Sequence, residues 1–181
     1  MFVPKSILSE STFQLTESPL FIPPVTPQLC IIKPDVIQTS KNMASISSYL
    51  TFSGNCLEAM TFYKECLGGE LVLQTVGESP LAAFMPSHMK HYVLNSTLTN
   101  DTLVLMGSDM VPETGLSHGN SISMMLRCNS EEQARTYYSR LAADGVPTHP
   151  LEDTFWGAVF GDLTDKFGNH WLLYFEKKSN A

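Results

Sequence analysis

Two short stretches of similar make-up, EAMTFY (Glu58–Tyr63) and QARTYY (Gln133–Tyr138), stand at the same place in two halves of the chain. Each follows an alternating apolar run, SISSYLTF or SISMMLRC, and precedes three more extended runs. Such a repeat demands the same element order twice. In the first half Asn55 stands where it can cap a helix whose Leu57, Met60, Tyr63 and Leu67 recur near the helical period, and Gly68-Gly69 ends it. ELVLQTV, HYVLNSTLT and DTLVLMG then read as strands, the last two joined at Asn100-Asp101 by a hairpin. In the second half Ser130 is expected to cap a helix from Glu131 to about Asp144, stopped by Gly145 and Pro147. Strands are expected near Thr148–Leu151, Trp156–Gly161 and His170–Glu176. The expected class is therefore α+β. Two βαβββ modules, about 45–110 and 119–178, form curved mixed sheets around a cleft, with helices outside and a concave inner face for a ligand.

Residues 1–43 do not share this order. Pro4, Pro19, Pro23, Pro24, Pro27 and Pro34 break every apolar run before a helix or central strand could form. A poorly ordered N-terminal extension is expected there, with the folded domain in 44–181. Met43 opens MASISSYL, as an upstream extension of a shorter natural product would require. The segment has no clean secretory signal, and it lacks Arg while carrying Glu10, Glu17 and Asp35, against a transit peptide. No apolar run approaches the roughly twenty residues of a membrane span. Acidic residues outnumber basic ones, 18 to 11, and the basic ones form no stripe, which argues against nucleic acid. Cys30, Cys56, Cys66 and Cys128 form no CxxC pair, so neither a zinc knuckle nor a dense disulfide framework is signalled and the cytoplasm is the expected compartment.

YLTFSGNCLEAMTFYKECLGG, followed much later by FWGAVFGDLTDKFGNHWLL, resembles the PhnB-like branch of the vicinal-oxygen-chelate superfamily. That superfamily includes glyoxalase I, extradiol dioxygenases, fosfomycin-resistance enzymes and bleomycin-binding proteins. The resemblance covers about residues 45–178 and rests on the spacing of Trp156, Gly161, Asp165, Phe167, Gly168 and Trp171. It implies paired βαβββ modules and a homodimer. Metal-using relatives place a His on the first strand and a Glu on the last strand of each module. The matching positions here are Ser48, Val104, Ser123 (or Ser121 if the register slips by two) and Leu172, which are weak ligands or none. The resemblance therefore implies that the shared metal site is vacant, and no cofactor is expected.

Asp165, Gly168 and Asn169 have the residue types of a tight turn into a strand. If Leu172 faces the cleft, alternation turns His170 to the same face, where it could titrate or hydrogen-bond a ligand. Ser48, Leu50, Asn95, Met106, Ser108, Asp109, Ser123, Met125, Phe155, Trp156, His170 and Leu172 are the candidate ligand-binding residues, the aromatic pair being placed at the cleft by the resemblance. His88 and His91 have HxxH spacing, but Pro86 argues against a shared helical face. His149, Glu152 and Asp153 read as a solvated loop. No GxGxxG, GxSxG or GxxxxGK[ST] pattern exists, and the methyltransferase label sometimes attached to this branch finds no glycine-rich strand-helix turn. A phosphonate ligand is disfavoured, because Arg127, Arg135 and Arg140 fall at a strand end or on the second helix. The expectation is a metal-free binding protein holding a small apolar or aromatic molecule. The alternatives are a lyase, isomerase or dioxygenase with a relocated metal, a metal-free catalyst using His170 or Asp109, and a partner-binding scaffold.

Overall fold

The computed structural model describes residues 45–101, 103–112 and 114–177. The expected N-terminal extension lies outside the described residues. The first half runs β1 (Ser48–Thr51), α1 (Cys56–Leu67), β2 (Glu70–Thr75), β3 (Val93–Asn100) and β4 (Leu103–Ser108). The second runs β5 (Met124–Arg127), α2 (Glu131–Leu141), β6 (Val146–Asp153), β7 (Ala158–Thr164) and β8 (His170–Glu176). Each half makes a four-stranded mixed sheet of the same order, β1-β4-β3-β2 and β5-β8-β7-β6. In each, the strand before the helix pairs parallel with the last strand, and the remaining pairs are antiparallel. The repeat in the sequence is thus a repeat in the fold.

Both sheets turn one face toward a shared core. Phe52, Met60, Tyr63, Leu98 and Leu105 from the first half pack in one cluster with Leu141, Leu163, Trp171 and Leu173 from the second. Phe167 stands edge-on to Phe52, Phe62 and Tyr63, and the Tyr63 ring lies 5.5 Å from that of Trp171. The helices meet at this junction: the Tyr137 hydroxyl donates to the Leu67 carbonyl, and Arg140 donates to the carbonyls of Glu65 and Cys66. Gly107 lets α1 sit low on its sheet, since a Cβ there would stand 3.1 Å from both Met60 Sδ and the Phe52 ring.

Several boundaries differ from expectation for identifiable reasons. Asn55 makes no side-chain cap; Asp109 Oδ1, arriving from beyond β4, accepts from the N–H groups of Gly54 and Cys56 instead. Ser130 caps α2 as expected by accepting from Gln133 N–H, but the helix ends at Leu141 rather than near Asp144. Asp144 then adopts a φ of 60°, so the turn out of α2 opens before Gly145. β6 extends from Val146 to Asp153 through Pro147 and Pro150. It is an edge strand, where missing N–H donors are tolerated, and its register shifts between Pro147 and His149 and again before Glu152. β7 begins at Ala158, which leaves Phe155 and Trp156 in the preceding turn.

Candidate functional site

Strand alternation assigns every sheet residue to one of two faces. In the first sheet the core-facing positions of β4 are fixed by buried Leu105 and by Gly107 under α1. Ser48 pairs with Leu105 and Leu50 with Gly107, so both candidates share the core-facing side. This corrects the expected register. The run Leu50-Thr51-Phe52 carries the reason, because Phe52 is buried and Leu50 packs against the core, and Ser48 is in phase with both. The opposite, open face instead holds Tyr49 and Thr51 on β1, Val104, Met106 and Ser108 on β4, Asn95 and Thr97 on β3, and Val72 and Gln74 on β2. Gln74 pairs with Asn95 and Thr51 with Ser108, so four polar side chains cross the sheet in one row. Tyr49, Met106, Thr97 and Val72 form the next. Asn95 Oδ1 is buried and has no hydrogen-bond partner among the described residues.

In the second sheet Trp171 and Leu173 face the core, which puts His170, Leu172 and Tyr174 of β8 on the open face. Leu172 pairs with Met125, and Tyr174 with Arg127. Phe160, Asp162 and Thr164 of β7 complete the floor beside Tyr174, Leu172 and His170. Ser123 lies exposed just before β5. His170 Nδ1 and Thr164 Oγ1 are hydrogen-bonded at 2.9 Å, which orients the imidazole and leaves Nε2 free. His149 lies in β6, not in a solvated loop, with its Nδ1 2.6 Å from Asp162 Oδ1. The Arg127 guanidinium carbon stands 5.4 Å above the centre of the Tyr174 ring.

Among the described residues nothing closes off these open faces: Val72 is 57% exposed and Met125 52%. An inner surface lined by Ser48, Val104, Ser123 and Leu172 facing one another is therefore not what the chain forms by itself. At the junction of the halves a pocket of about 310 Å³ brings candidates Leu50 and His170 together with Tyr49, Thr51, His118 and Met124. Phe155 and Trp156 are packed edge to face at 4.7 Å and project from the turn before β7. They stand at the tip of a hairpin, exposed.

Asp109 is a structural carboxylate. Besides its two bonds at the start of α1, its Oδ2 accepts from Val93 N–H, and the side chain is 3% exposed. With both oxygens held by backbone donors, it is not available as a catalytic base. Asp165 plays the parallel part in the second half: Oδ1 accepts from the N–H groups of Phe167 and Asn169, and Oδ2 from Tyr63 Oη and Trp171 Nε1, each at 2.7 Å. Burial first, and the neighbouring Asp165 charge second, hold the Tyr63 hydroxyl far above the usual phenol range. The turn reading of Asp165, Gly168 and Asn169 agrees with this geometry, and Gly168 has the φ of 84° that such a turn requires. His88 and His91 are exposed, His88 in a 3-10 turn and His91 beyond it, with no third ligand near them.

The model of the Glyoxalase/Bleomycin resistance protein/Dioxygenase superfamily matches residues 45–173. The chain belongs to that superfamily. It is 30% identical to protein YjdN of Escherichia coli (strain K12) over 138 residues, which are 71% of this chain and 92% of that protein. The crystal structure of protein PA1353 from Pseudomonas aeruginosa is similar with a TM-score of 0.67 and 34% identity, covering 75% of this chain and all of that one. A PhnB protein from Bacillus cereus, described as a candidate 3-demethylubiquinone-9 3-methyltransferase, matches with a TM-score of 0.57 and 26% identity, covering 73% of this chain and 99% of its own. Metal-using glyoxalase-fold proteins need several His or Glu donors converging from the first and last strands. With the register corrected, β1 offers Tyr49 and Thr51, β4 Val104 and Met106, β5 Met125 and β8 His170 and Leu172. His170 is the one nitrogen donor among these seven, and no group of three His, Cys, Asp or Glu side chains converges among the described residues. The donor set does not fit a divalent centre of that kind.

The open-face residues that sequence reasoning missed include Tyr49, Thr51, Gln74, Phe160, Arg127 and Tyr174. For the last two the signal was present. Once Met125 and Leu172 are assigned to the open face, alternation places Arg127 and Tyr174 there as well.

Proposed function

We propose that this member of the glyoxalase/bleomycin-resistance superfamily is a binding protein for a small, largely apolar or aromatic molecule and works without a divalent metal. Its binding cleft is completed when a second copy covers the open sheet faces, so the functional unit is a homodimer. The observation that carries this reading is the open face itself. Apolar side chains are half exposed there, Val72 on the first sheet and Met125 on the second, with polar Thr51 and Gln74 on the same face as Val72. An apolar floor with a few polar groups selects by shape and hydrogen bonding rather than by chelation. The enzymatic alternative falls to His170, since Asp109 is committed to backbone donors.

The test is direct. Metal-stripped protein should bind a neutral aromatic probe, naphthalene-2-carboxamide, and the probe should shift the methyl resonances of Met106 and Met125 while Met60, in the core, stays still. Stoichiometric zinc, nickel, manganese or iron after gentle purification would contradict the proposal, as would binding that leaves both open-face methionines unmoved.

A further inference from the structure

We infer that the open face of the second sheet carries a carboxylate subsite at Arg127, so that the bound molecule is an aromatic monocarboxylic acid. This deepens the proposed function and rests on it. The chain has three arginines. Arg135 is paired with Glu131, and Arg140 is spent on the carbonyls of Glu65 and Cys66. Arg127 differs. Among the described residues it has no carboxylate partner and donates no hydrogen bond, and its one partner is the Tyr174 ring beneath it.

Stacking on a ring holds a guanidinium flat and leaves its N–H edges pointing outward, in the fork that a carboxylate accepts bidentately. Over an apolar floor an uncommitted guanidinium favours a planar anionic partner such as a carboxylate. The floor next to it is aromatic and aliphatic: Tyr174 lies beside Phe160, and Leu172 beside Met125. A ring laid on that floor would bring its acid group to Arg127. The same face argues for a single negative charge. Asp162 lies on it one row away, already paired with His149, and Glu152 lies beyond Phe160 on β6, so a phosphonate dianion would meet one cation and two carboxylates. Arg127 stands at the end of β5, yet its pairing with Tyr174 puts it on the open face.

Two probes that differ in charge alone test this on the full-length chain: naphthalene-2-carboxylate and naphthalene-2-carboxamide. The wild type should bind the carboxylate about tenfold more tightly, the range of a charge-assisted hydrogen bond. The preference should weaken with added salt. Arg127→Gln should bring the two affinities together by weakening the acid alone, and Arg127→Lys should restore part of the difference. Equal affinity in the wild type, or a preference that survives Arg127→Gln, would overturn the inference while leaving the proposed function standing. Loss of both probes from the wild type would remove both. Light scattering of Arg127→Gln should show an unchanged mass. A fall to the monomer would mean that Arg127 pairs across subunits, and the carboxylate subsite would be withdrawn.

Discussion

Asp165 ties the two halves together through one carboxylate: it holds its own turn with one oxygen, and Tyr63 of α1 and the Trp171 indole with the other. Replacing it by Ala leaves those buried donors unpaired, so Asp165→Ala should cost about 2–4 kcal/mol in urea unfolding, and Tyr63→Phe about 1 kcal/mol. Equal small losses would show that the hub is not cooperative. The buried thiols set a second residue-scale expectation. Burial first pushes Cys56 from 9.0 up to about 12; the Ser96 hydrogen bond opposes this, and the Asp109 charge adds to it. Burial also raises Cys66 and Cys128 to about 11. A folded value above the unfolded one means that folding favours the protonated thiol. The stabilisation is then complete below about pH 9 and is lost as pH climbs toward 12. Unfolding free energy should fall between pH 9 and 11, less steeply in Cys56→Ala; a flat profile would contradict the assignment. The sequence alone showed only the turn at Asp165, because Tyr63 is distant from Asp165 in the chain, as Ser96 and Asp109 are from Cys56.

At the scale of elements, local chemistry was legible where the partner is local. Ser130 caps α2 through its own neighbour, Gln133 N–H, as the sequence suggested. Asn55 stands in the equivalent place before α1, yet the cap comes from Asp109, a residue no window of sequence could connect to it. Ser130→Ala should therefore destabilise by about 1 kcal/mol in denaturant titration, and Asn55→Ala by much less. Comparable losses would mean that Asn55 contributes a cap absent from this geometry. The register of β1 was misread by one residue, because a four-residue strand leaves too little alternation to outweigh a position inferred from relatives. In β8 seven residues alternate without interruption, and the faces of His170 and Leu172 came out as expected.

For the whole molecule, the repeated element order was legible because it depends on periodicity, whereas the closure of the cleft was not, because it depends on how two sheets share a core. All the core packing described lies between Leu50 and Leu173. Deleting residues 1–43 should thus leave the melting temperature nearly unchanged, and loss of cooperative unfolding would refute that. Among the described residues Val72, Met125 and Arg127 lie exposed on the open sheet faces, and in the proposed homodimer a second copy covers them. Light scattering of the full-length chain at micromolar concentration tests this most directly. A homodimer has a mass twice the 20.1 kDa of one chain, and a mass of 20.1 kDa would contradict it.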